Sequence, residues 1–324
     1  MDYKKEFLRL FNNEMNQEEA REFLINLYKN GETPAQIAAA AEVMREKSIK
    51  LPVSKELQER LIDVVGTGGD KSNSFNISST VALLISSIGS VVAKHGNRSI
   101  TSKSGSADML EALGINLNLT IENQVKMLEE VNFTFIFAIN HHPAMKHIMP
   151  IRKSIPHRTI FNILGPLTNP AGAKKYLLGV FSPEFVEKIA SALVLMDVKR
   201  AMVVSSLDGM DEVSIEEPTK AIYYNSATLK DLMIRPENYG LKGKKENLIG
   251  GDAKENAKIT RDILSGNLKD DKLKAVLLNA GVALFVDNKA NSIEEGIKLA
   301  KEAIESKKAI KHLDKIIEVS NKLK

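Results

Sequence analysis

Apolar positions in the first sixty residues recur at the spacing of amphipathic helices, and no strand pattern interrupts them. Asn16 and Glu19 have the spacing of a capping box, and Thr33 with Gln36 repeats that spacing at the start of the following helix. This region is therefore expected to be entirely helical. The predicted helices cover residues 3–11, 20–28, 37–44 and 54–60.

From residue 61 the pattern changes to short β-rich runs separated by helical ones. Strands that alternate with helices favour a largely parallel sheet with helices on its faces. The predicted strands cover residues 61–65, 90–93, 133–138, 176–181, 200–205 and 221–224.

Two further regions complete the predicted architecture. Residues 140–173 look helical and polar in the middle, so this segment is expected to leave the sheet and rejoin the N-terminal helices. The last seventy residues contain amphipathic helices, for example over 270–286 and 292–301. We therefore predict an α/β fold with two domains: a small all-helical domain, and a large α/β domain with a mainly parallel central sheet flanked by helices. The helical domain comprises residues 1–62 with part of 142–174, and the α/β domain comprises 63–141 and 175–324.

Composition narrows the class of protein. Hydrophobic residues make up 43% and charged residues 27% of the 324 positions, as in globular proteins. The net charge of +4 comes from lysines spread along the chain, which gives no positive indication of nucleic-acid binding. The absence of Cys excludes disulfides and thiolate chemistry. The sequence has no long apolar run and no signal-peptide pattern, so we expect a cytoplasmic protein without membrane contact.

Glycine and serine are concentrated in one region: seven of the 19 glycines lie between Gly66 and Gly114. Residues 66–70 directly follow an apolar strand, and a glycine loop at that place exposes backbone N–H groups to an anion. The dinucleotide pattern GxGxxG would need glycine at Lys71, and the Walker pattern would need it at Asp70, so neither applies. A glycine cluster alone is often an ordinary turn.

A second loop with similar chemistry follows the next predicted strand. Residues 94–98 read KHGNR and residues 102–108 read SKSGSAD, again between a strand and a helix. Loops at the carboxyl ends of neighbouring parallel strands lie close together. Their N–H groups, hydroxyls and cations suit a substrate with two phosphate groups better than one with a single carboxylate. Asn76 and Ser78, at a predicted helix start, have the alternative role of N-cap residues.

The motifs resemble those of the anthranilate phosphoribosyltransferase family, which shares its fold with pyrimidine nucleoside phosphorylases. They occur in the family's order over most of the chain. The motifs are GTGGD at 66–70, FNISS at 75–79, KHGNRS at 94–99, SGSAD at 104–108, HHPAMKH at 141–147, RTIFNILGPLTNPA at 158–171 and MDE at 210–212.

The resemblance implies transfer of a phosphoribosyl group from phosphoribosyl diphosphate to the amine of anthranilate, with Mg²⁺, in tryptophan biosynthesis. It also implies a homodimer formed through the helical domain. Ser78, Asp211 and Glu212 match the metal ligands, although an Asp-Glu pair by itself is usually a solvated turn. The residues that match phosphoribosyl diphosphate contacts are Gly66, Gly69, Asp70, Ser74, Asn76, Ile77, Ser78, Ser79, Lys94, His95, Gly96, Asn97, Arg98, Ser102 and Ser106.

For anthranilate the matching residues are Gly66, Asn97 and Arg158, because a guanidinium can pair with an aromatic carboxylate through two hydrogen bonds. His95, His142 and Pro170 are secondary candidates that would line the path of the aromatic ring. No protein nucleophile is expected, since the amine displaces diphosphate at the anomeric carbon through an oxocarbenium-like transition state. Two positions depart from the family pattern: Ser79 stands where Thr is more frequent, and Ile139 where Pro is frequent.

Two alternative functions are compatible with the sequence. A pyrimidine nucleoside phosphorylase has the same fold, but the Lys-His-Ser-Gly-Gly-like stretch typical of that enzyme is absent at Lys94. A non-enzymatic nucleic-acid-binding relative would fit the pI of about 8.9. The intact GTGGD loop and Asp211–Glu212 favour the transferase over both.

Overall fold

The N-terminal region is helical, as the apolar spacing predicts. A computed structural model describes residues 2–98 and 103–323. Thr33 accepts a hydrogen bond from the Gln36 N–H, and the Gln36 side chain accepts one from the Thr33 N–H, which makes the predicted capping box. The helices of this region are α1 (Tyr3–Phe11), α2 (Gln17–Asn30), α3 (Pro34–Glu46) and α4 (Lys55–Arg60).

The capping box predicted at Asn16 and Glu19 forms only in half. The Asn16 side chain accepts a hydrogen bond from the Glu19 N–H at 2.9 Å. The Glu19 carboxylate instead accepts a hydrogen bond from Arg9, at 2.6 Å. The full box is therefore a wrong prediction, because an arginine on α1 competes for the carboxylate.

In the described part of the chain, seven strands form one sheet in the order β3-β2-β1-β4-β5-β6-β7. The strands from β3 to β5 are parallel, and β6 and β7 are antiparallel additions at one edge. This confirms the predicted α/β class with a mainly parallel central sheet. The strands are β1 (Leu61–Gly66), β2 (Val91–Gly96), β3 (Phe133–Phe137), β4 (Lys175–Gly179), β5 (Arg200–Ser206), β6 (Thr219–Tyr224) and β7 (Leu229–Ile234).

Two features of the sheet differ from the prediction. The strand β7 was not predicted, because it is a mostly exposed edge strand with Lys230 and Asp231 between its apolar residues. The strand β2 runs on through Lys94, His95 and Gly96, which the sequence pattern places in the loop. Lys94 and His95 are charged or polar but buried, so the apolar pattern ends before the strand does.

Helices cover both faces of the sheet, and the segment between β3 and β4 is helical in its middle as expected. The α9 helix of that segment (Met145–Lys153) packs on α1 and α2. The remaining helices are α5 (Ile77–Ser87), α6 (Ser106–Ala112), α7 (Ile121–Val131), α8 (Ala138–His141), α9 (Met145–Lys153), α10 (Phe161–Leu164), α11 (Glu184–Leu195), α12 (Ala253–Leu264), α13 (Asp271–Val286), α14 (Ile293–Glu305) and α15 (Lys308–Lys322).

Each face of the sheet has its own apolar core, because successive side chains of a strand point to opposite faces. Ile62 and Val64 belong to the core that contains α5 and α13. Leu61 belongs to the other core, which also contains the apolar residues of the N-terminal helices and α11. The N-terminal helices therefore share a core with the sheet, and their division from it as a separate domain stays a prediction. Within the described ranges, the helices are too short or too polar to span a membrane.

Candidate active site

Two glycines at the carboxyl ends of the neighbouring strands β1 and β4 allow the segment that follows β5 to pass close to these ends. Gly66 of β1 pairs with Gly179 of β4. A Cβ atom on Gly179 would lie 1.6 Å from the Asp211 carbonyl oxygen, and one on Gly66 would lie 2.4 Å from Asp211 Oδ2. Any side chain at either position would displace Asp211. These glycines therefore bring the segment after β5 against the loop after β1.

The loop after β1 has the backbone conformation that its glycines allow. Gly68 and Gly69 have φ angles of +66° and +81°, in the left-handed region that side chains disfavour. The Gly68 N–H donates a hydrogen bond of 2.7 Å to Asp211 Oδ2. Asp70 Oδ1 accepts one of 3.1 Å from the Ser72 N–H. The turn is therefore stabilised by carboxylates from both segments.

Asn76 connects the two predicted loops. It occupies the N-cap position of α5 but makes no capping hydrogen bond there, so the alternative role as a side-chain cap is not realised. Its amide nitrogen instead donates to the Ser104 carbonyl at 3.3 Å, and its oxygen accepts from Asn256 at 2.9 Å. The loop at 66–75 and the second loop thus lie side by side, as their strand order predicts.

The acidic pair Asp211–Glu212 lies over the start of α5. Glu212 Oε1 accepts a hydrogen bond of 3.2 Å from the Ser78 N–H. Burial, and then the charge of Asp70, raise the pKa of Asp211 to about 7. Burial, and then Asp211, raise the pKa of Glu212 well above its usual value. The charges of neighbouring carboxylates therefore add to burial in raising both pKa values.

Lys94 is a buried cation beneath this pair. Its Nζ donates hydrogen bonds of 2.6 Å to the Val64 carbonyl and 3.2 Å to Ser78 Oγ. Burial lowers the pKa of Lys94, while Asp63, Glu212 and Asp211 act in the opposite direction. Lys94 thus contacts Ser78 and interacts electrostatically with the acidic pair.

In the second loop, Asn97 and Arg98 have different interaction partners. The Asn97 carbonyl accepts a hydrogen bond from Ala107 in the first turn of α6. The Arg98 guanidinium forms ion pairs of 2.8 Å with Asp108 and 2.6 Å with Glu111. A role of Arg98 in phosphate binding would require it to exchange these partners. Ser102 lies outside the described residues.

His95 and His142 form a buried pair on the helical side of the sheet. His95 Nδ1 lies 3.0 Å from the Gly165 carbonyl, and the two Nε2 atoms lie 3.3 Å apart. Because a carbonyl only accepts, this arrangement assigns the Nδ1 proton to His95 and the Nε2 proton to His142. Burial lowers the pKa of His95 to about 3 and that of His142 to about 4. Both imidazoles are therefore neutral near pH 7.

Arg158 is held on the helical side by a buried acid and by aromatic rings. Its Nη1 lies 3.3 Å from Oε1 of the fully buried Glu32, and its Cζ lies 4.3 Å from the Phe185 ring centroid. Phe181 connects it to the glycine loop: Arg158 Cζ lies 5.8 Å from the Phe181 ring, and the Phe181 N–H donates to Thr67 Oγ1. Arg158 is thus near the loop, but no hydrogen bond joins it to Asn97 within the described residues.

The remaining predicted residues have different environments. Ile77 has a buried side chain in the core, so only its backbone could face a ligand. The Ser79 hydroxyl is buried without a hydrogen-bond partner in the described part of the chain. Ser74 forms an isolated bridge with Ile249, and Ser106 begins α6. Gly96 packs against Phe135, where a Cβ would approach the ring to 2.8 Å.

Four polar residues of the site region were not predicted: Asp63, Asn169, Asn256 and Glu32. Each is buried and makes a hydrogen bond to a predicted site residue or to its strand. A single Asp inside an otherwise apolar strand was the available signal for Asp63. Glu32 and Asn256 lie among polar residues in the sequence, and only the tertiary contacts show that they are buried.

Residues 58–310 match the family model described as "Glycosyl transferase family, a/b domain". Anthranilate phosphoribosyltransferases of Methanobrevibacter smithii and Petrotoga mobilis are each 46% identical over 300 residues, which is 92% of this chain and 88% and 86% of theirs. The crystal structure of anthranilate phosphoribosyltransferase from Thermus thermophilus has a TM-score of 0.92 at 39% identity, covering 98% of this chain and 94% of that one. The Saccharomyces cerevisiae enzyme in complex with PRPP and Mg has a TM-score of 0.87 at 28% identity, covering 99% and 93%.

The fold and the matched family model define a glycosyltransferase with an α/β domain. The relatives and structural neighbours described above are named anthranilate phosphoribosyltransferase, which is more specific than the family model. The chain belongs to the anthranilate phosphoribosyltransferase family, and this favours the transferase over the phosphorylase alternative.

Proposed function

We propose that this chain transfers the phosphoribosyl group of phosphoribosyl diphosphate to the amine of anthranilate and releases diphosphate, in tryptophan biosynthesis. The observation that carries the proposal is that three segments meet at the carboxyl ends of the parallel strands. The glycine loop after β1, the start of α5 and the pair Asp211–Glu212 are joined there by the hydrogen bonds at Gly68 and Ser78. Family membership supplies the identity of the substrates.

Phosphoribosyl diphosphate would bind across the two loops. The left-handed turn at Gly68 and Gly69 and the start of α5 would supply N–H groups. The Gly68 and Ser78 N–H groups would exchange their carboxylate partners Asp211 and Glu212 for phosphate oxygens. Ser74, Ser79 and Ser106 would supply hydroxyls. Lys94 is buried and contacts Ser78 at the start of α5. The other proposed contacts are Gly66, Asp70, Asn76, Ile77 through its backbone, Ser78, His95, Gly96, Asn97 and Arg98.

Mg²⁺ would be held by Ser78, Asp211 and Glu212 together with substrate oxygens. Within the described residues there is no group of three or more His, Cys, Asp or Glu side chains arranged to hold a metal. A set of two carboxylates and one hydroxyl fits an ion that keeps water and phosphate ligands. The raised pKa values of both acids fit as well, because a cation would relieve their mutual repulsion. When bound, the ion would stabilise negative charge on the diphosphate leaving group.

Anthranilate would bind on the helical side of the loops, through Arg158, Asn97 and the edge of Gly66. Glu32 and the aromatic rings fix the plane of the Arg158 guanidinium, which orders it for a planar carboxylate. A Saccharomyces cerevisiae anthranilate phosphoribosyltransferase in complex with 4-fluoroanthranilate has a TM-score of 0.85 at 27% identity. That likeness supports an aromatic acid as the second substrate.

The chemical step needs orientation and charge stabilisation more than a reactive side chain. The anthranilate amine would attack the anomeric carbon while the bond to diphosphate breaks, and no protein nucleophile is assigned. The N–H groups of the glycine loop and Lys94 would stabilise charge on the departing oxygens. Arg158 and Asn97 would hold the amine in line for attack.

A homodimer through the helical region is the proposed assembly. Ala35 and Ala39 of α3 lie beside Leu195 at the end of α11, and Leu195 is 61% exposed. Small residues beside an exposed apolar one suit the close packing of a second copy. The cytoplasmic location expected from the sequence stays a prediction.

The decisive assay follows the loss of anthranilate fluorescence with phosphoribosyl diphosphate, with and without Mg²⁺. We expect turnover that stops when EDTA removes Mg²⁺. Changing both Asp211→Asn and Glu212→Gln should reduce kcat/KM by at least about 100-fold while the protein stays folded. The matched control is Asp262→Asn with Glu318→Gln, two acids that pair with surface lysines. Phosphorolysis of thymidine or uridine without anthranilate turnover, or salt-sensitive nucleic-acid binding alone, would contradict the proposal.

A further inference from the structure

The two strands that carry the substrate loops pair with each other over a shorter stretch than with their outer neighbours. Within the described residues, β1 and β2 pair at two positions, Leu61 with Val91 and Ile62 with Val92. On its other side β1 pairs with β4 over residues 62–66, and β2 pairs with β3 over 92–96. The hydrogen-bonded ladder between β1 and β2 therefore stops after residue 62, which leaves an opening in the ladder before the loops begin.

Beyond this point, side chains form hydrogen bonds with backbone groups of β1 and β2 that have no partner in the other strand. The Val64 carbonyl accepts a hydrogen bond from Lys94 Nζ at 2.6 Å. The Ala93 carbonyl accepts one from Asn169 Nδ2 at 2.8 Å, and the His95 N–H donates one to Asp63 Oδ1 at 3.2 Å. Buried backbone groups need such partners, and here side chains replace the ladder between strands.

Asp63 and Asn169 are the centre of this arrangement. Both are fully buried, and Asn169 Nδ2 donates to Asp63 Oδ2 at 2.8 Å. The Asn169 oxygen accepts a hydrogen bond from the Ala171 N–H at 2.9 Å. The pair therefore ties the chain after α10 to the opening between β1 and β2. The nearby segment also carries Gly165, whose carbonyl lies against His95.

The opening leads directly to the proposed substrate site. Lys94 reaches from β2 across to Val64 and at the same time contacts Ser78. Gly66 and Gly96, at the ends of the two strands, begin the loops that would hold the diphosphate. The distance between the loops is thus set by what lies between the strands.

We propose that Asp63 and Asn169 form a polar wedge that positions Lys94 and the two loops for phosphoribosyl diphosphate, an inference that rests on the proposed function. Neither residue touches the substrate in this proposal. The wedge acts by holding β1 and β2 apart and by satisfying the backbone of Ala93 and His95.

The test uses exchanges of nearly equal size in the full-length protein. In Asp63→Asn an amide donor would face the Asn169 amide donor, and in Asn169→Asp two carboxylates would face each other. The double exchange of both residues restores one donor facing one acceptor. Asp287→Asn is the matched control, because Asp287, which follows α13, is a buried carboxylate 2.8 Å from Lys175 at the amino end of β4.

We expect Asp63→Asn to raise the KM for phosphoribosyl diphosphate about tenfold, the loss of one hydrogen bond to a charged group, with a smaller change in the KM for anthranilate. The double exchange should recover part of that increase. Asp287→Asn should lower the melting temperature but leave both KM values within about twofold. If Asp63→Asn does not fold, Asn169→Ser replaces it, with the same expected direction.

Two readouts separate this inference from the proposed function. Binding of phosphoribosyl diphosphate with Mg²⁺ is measured by calorimetry beside the turnover assay. Turnover in the wild type with unchanged KM and Kd in the wedge variants, or equal effects in Asp63→Asn and Asp287→Asn, would overturn the wedge. If the wild type shows no turnover, but binding of phosphoribosyl diphosphate is weakened in the wedge variants and not in Asp287→Asn, only the proposed function would be overturned.

Discussion

Buried ionisable residues are the distinctive feature of this protein at the scale of single residues. Asp63, Lys94 and His95 lie in strands near the candidate site, and all three have shifted pKa values because they are buried. Strands of a central parallel sheet are ordinarily apolar on both faces. Asp63, Lys94 and His95 depart from this pattern, and hydrogen bonds to other strands and segments satisfy their side chains.

The His95–His142 pair predicts a specific dependence of stability on pH. The folded pKa of His142 is about 4, below the unfolded value near 6.5, so the unfolded state binds more protons between these values. The stability contributed by the neutral imidazole is therefore complete above about pH 6.5 and is lost as the pH falls toward 4. We expect the wild type to lose about 3 kcal/mol more than His142→Gln over this range.

Urea unfolding between pH 7 and 4 measures this difference. Gln at 142 can still donate a hydrogen bond to His95, so the comparison isolates the ionisation. His147→Gln, which leaves the buried pair in place, is the control. Parallel pH profiles for the wild type and His142→Gln would show that the pair does not titrate as described.

At the scale of elements, the start of α5 depends on contacts from other elements. Asn76, which precedes the helix, is bound to Ser104 from the second loop and to Asn256 from α12. Asn256 is buried, and its oxygen also accepts a hydrogen bond from the Gly251 N–H at 2.8 Å. One side chain therefore joins three segments around the proposed phosphate site.

Replacing Asn256 by Ala should affect both stability and substrate binding. The change leaves the Gly251 N–H without its partner, which should cost about 1–3 kcal/mol of unfolding free energy. It also frees Asn76, so we expect the KM for phosphoribosyl diphosphate to rise about fivefold. Urea unfolding and steady-state kinetics measure the two effects. Asn321→Ala, which removes an exposed hydrogen bond to Gly114, should change neither by much.

At the scale of the whole molecule, the helical region and the sheet are connected by the chain between α3 and α4. The Ile49 N–H donates to the His141 carbonyl, and the Leu51 N–H donates to the Pro170 carbonyl. The same helical region presents α3 as the proposed dimer surface.

The dimer proposal is tested by Ala39→Arg, which places a long charged side chain in the groove between α3 and α11. We expect the wild type to have twice the chain mass in light scattering and the variant to shift toward the monomer. Leu229→Arg, at a partly exposed position of the edge strand β7, is the control and should stay dimeric. A monomeric wild type would contradict the proposal.

Local patterning was enough to predict the helices and most strands, because apolar spacing and capping residues act over a few positions. The strand β7 was missed because half-polar edge strands lack that spacing, and β2 was cut short because Lys94 and His95 are buried without being apolar. The predicted glycine loop and Asp211–Glu212 are far apart in sequence. The pairing of β1 with β4 and of β4 with β5 brings them within hydrogen-bond distance.

The sequence by itself determined the fold class, the two loops and the family, since these depend on residue types at fixed spacing. The tertiary structure decided which groups are occupied by partners: Arg98 by Asp108 and Glu111, Arg158 by Glu32, and Asn76 by Ser104 and Asn256. It also revealed the opening between β1 and β2 with Asp63 at its centre. Such features depend on contacts between distant segments, and no local pattern encodes them.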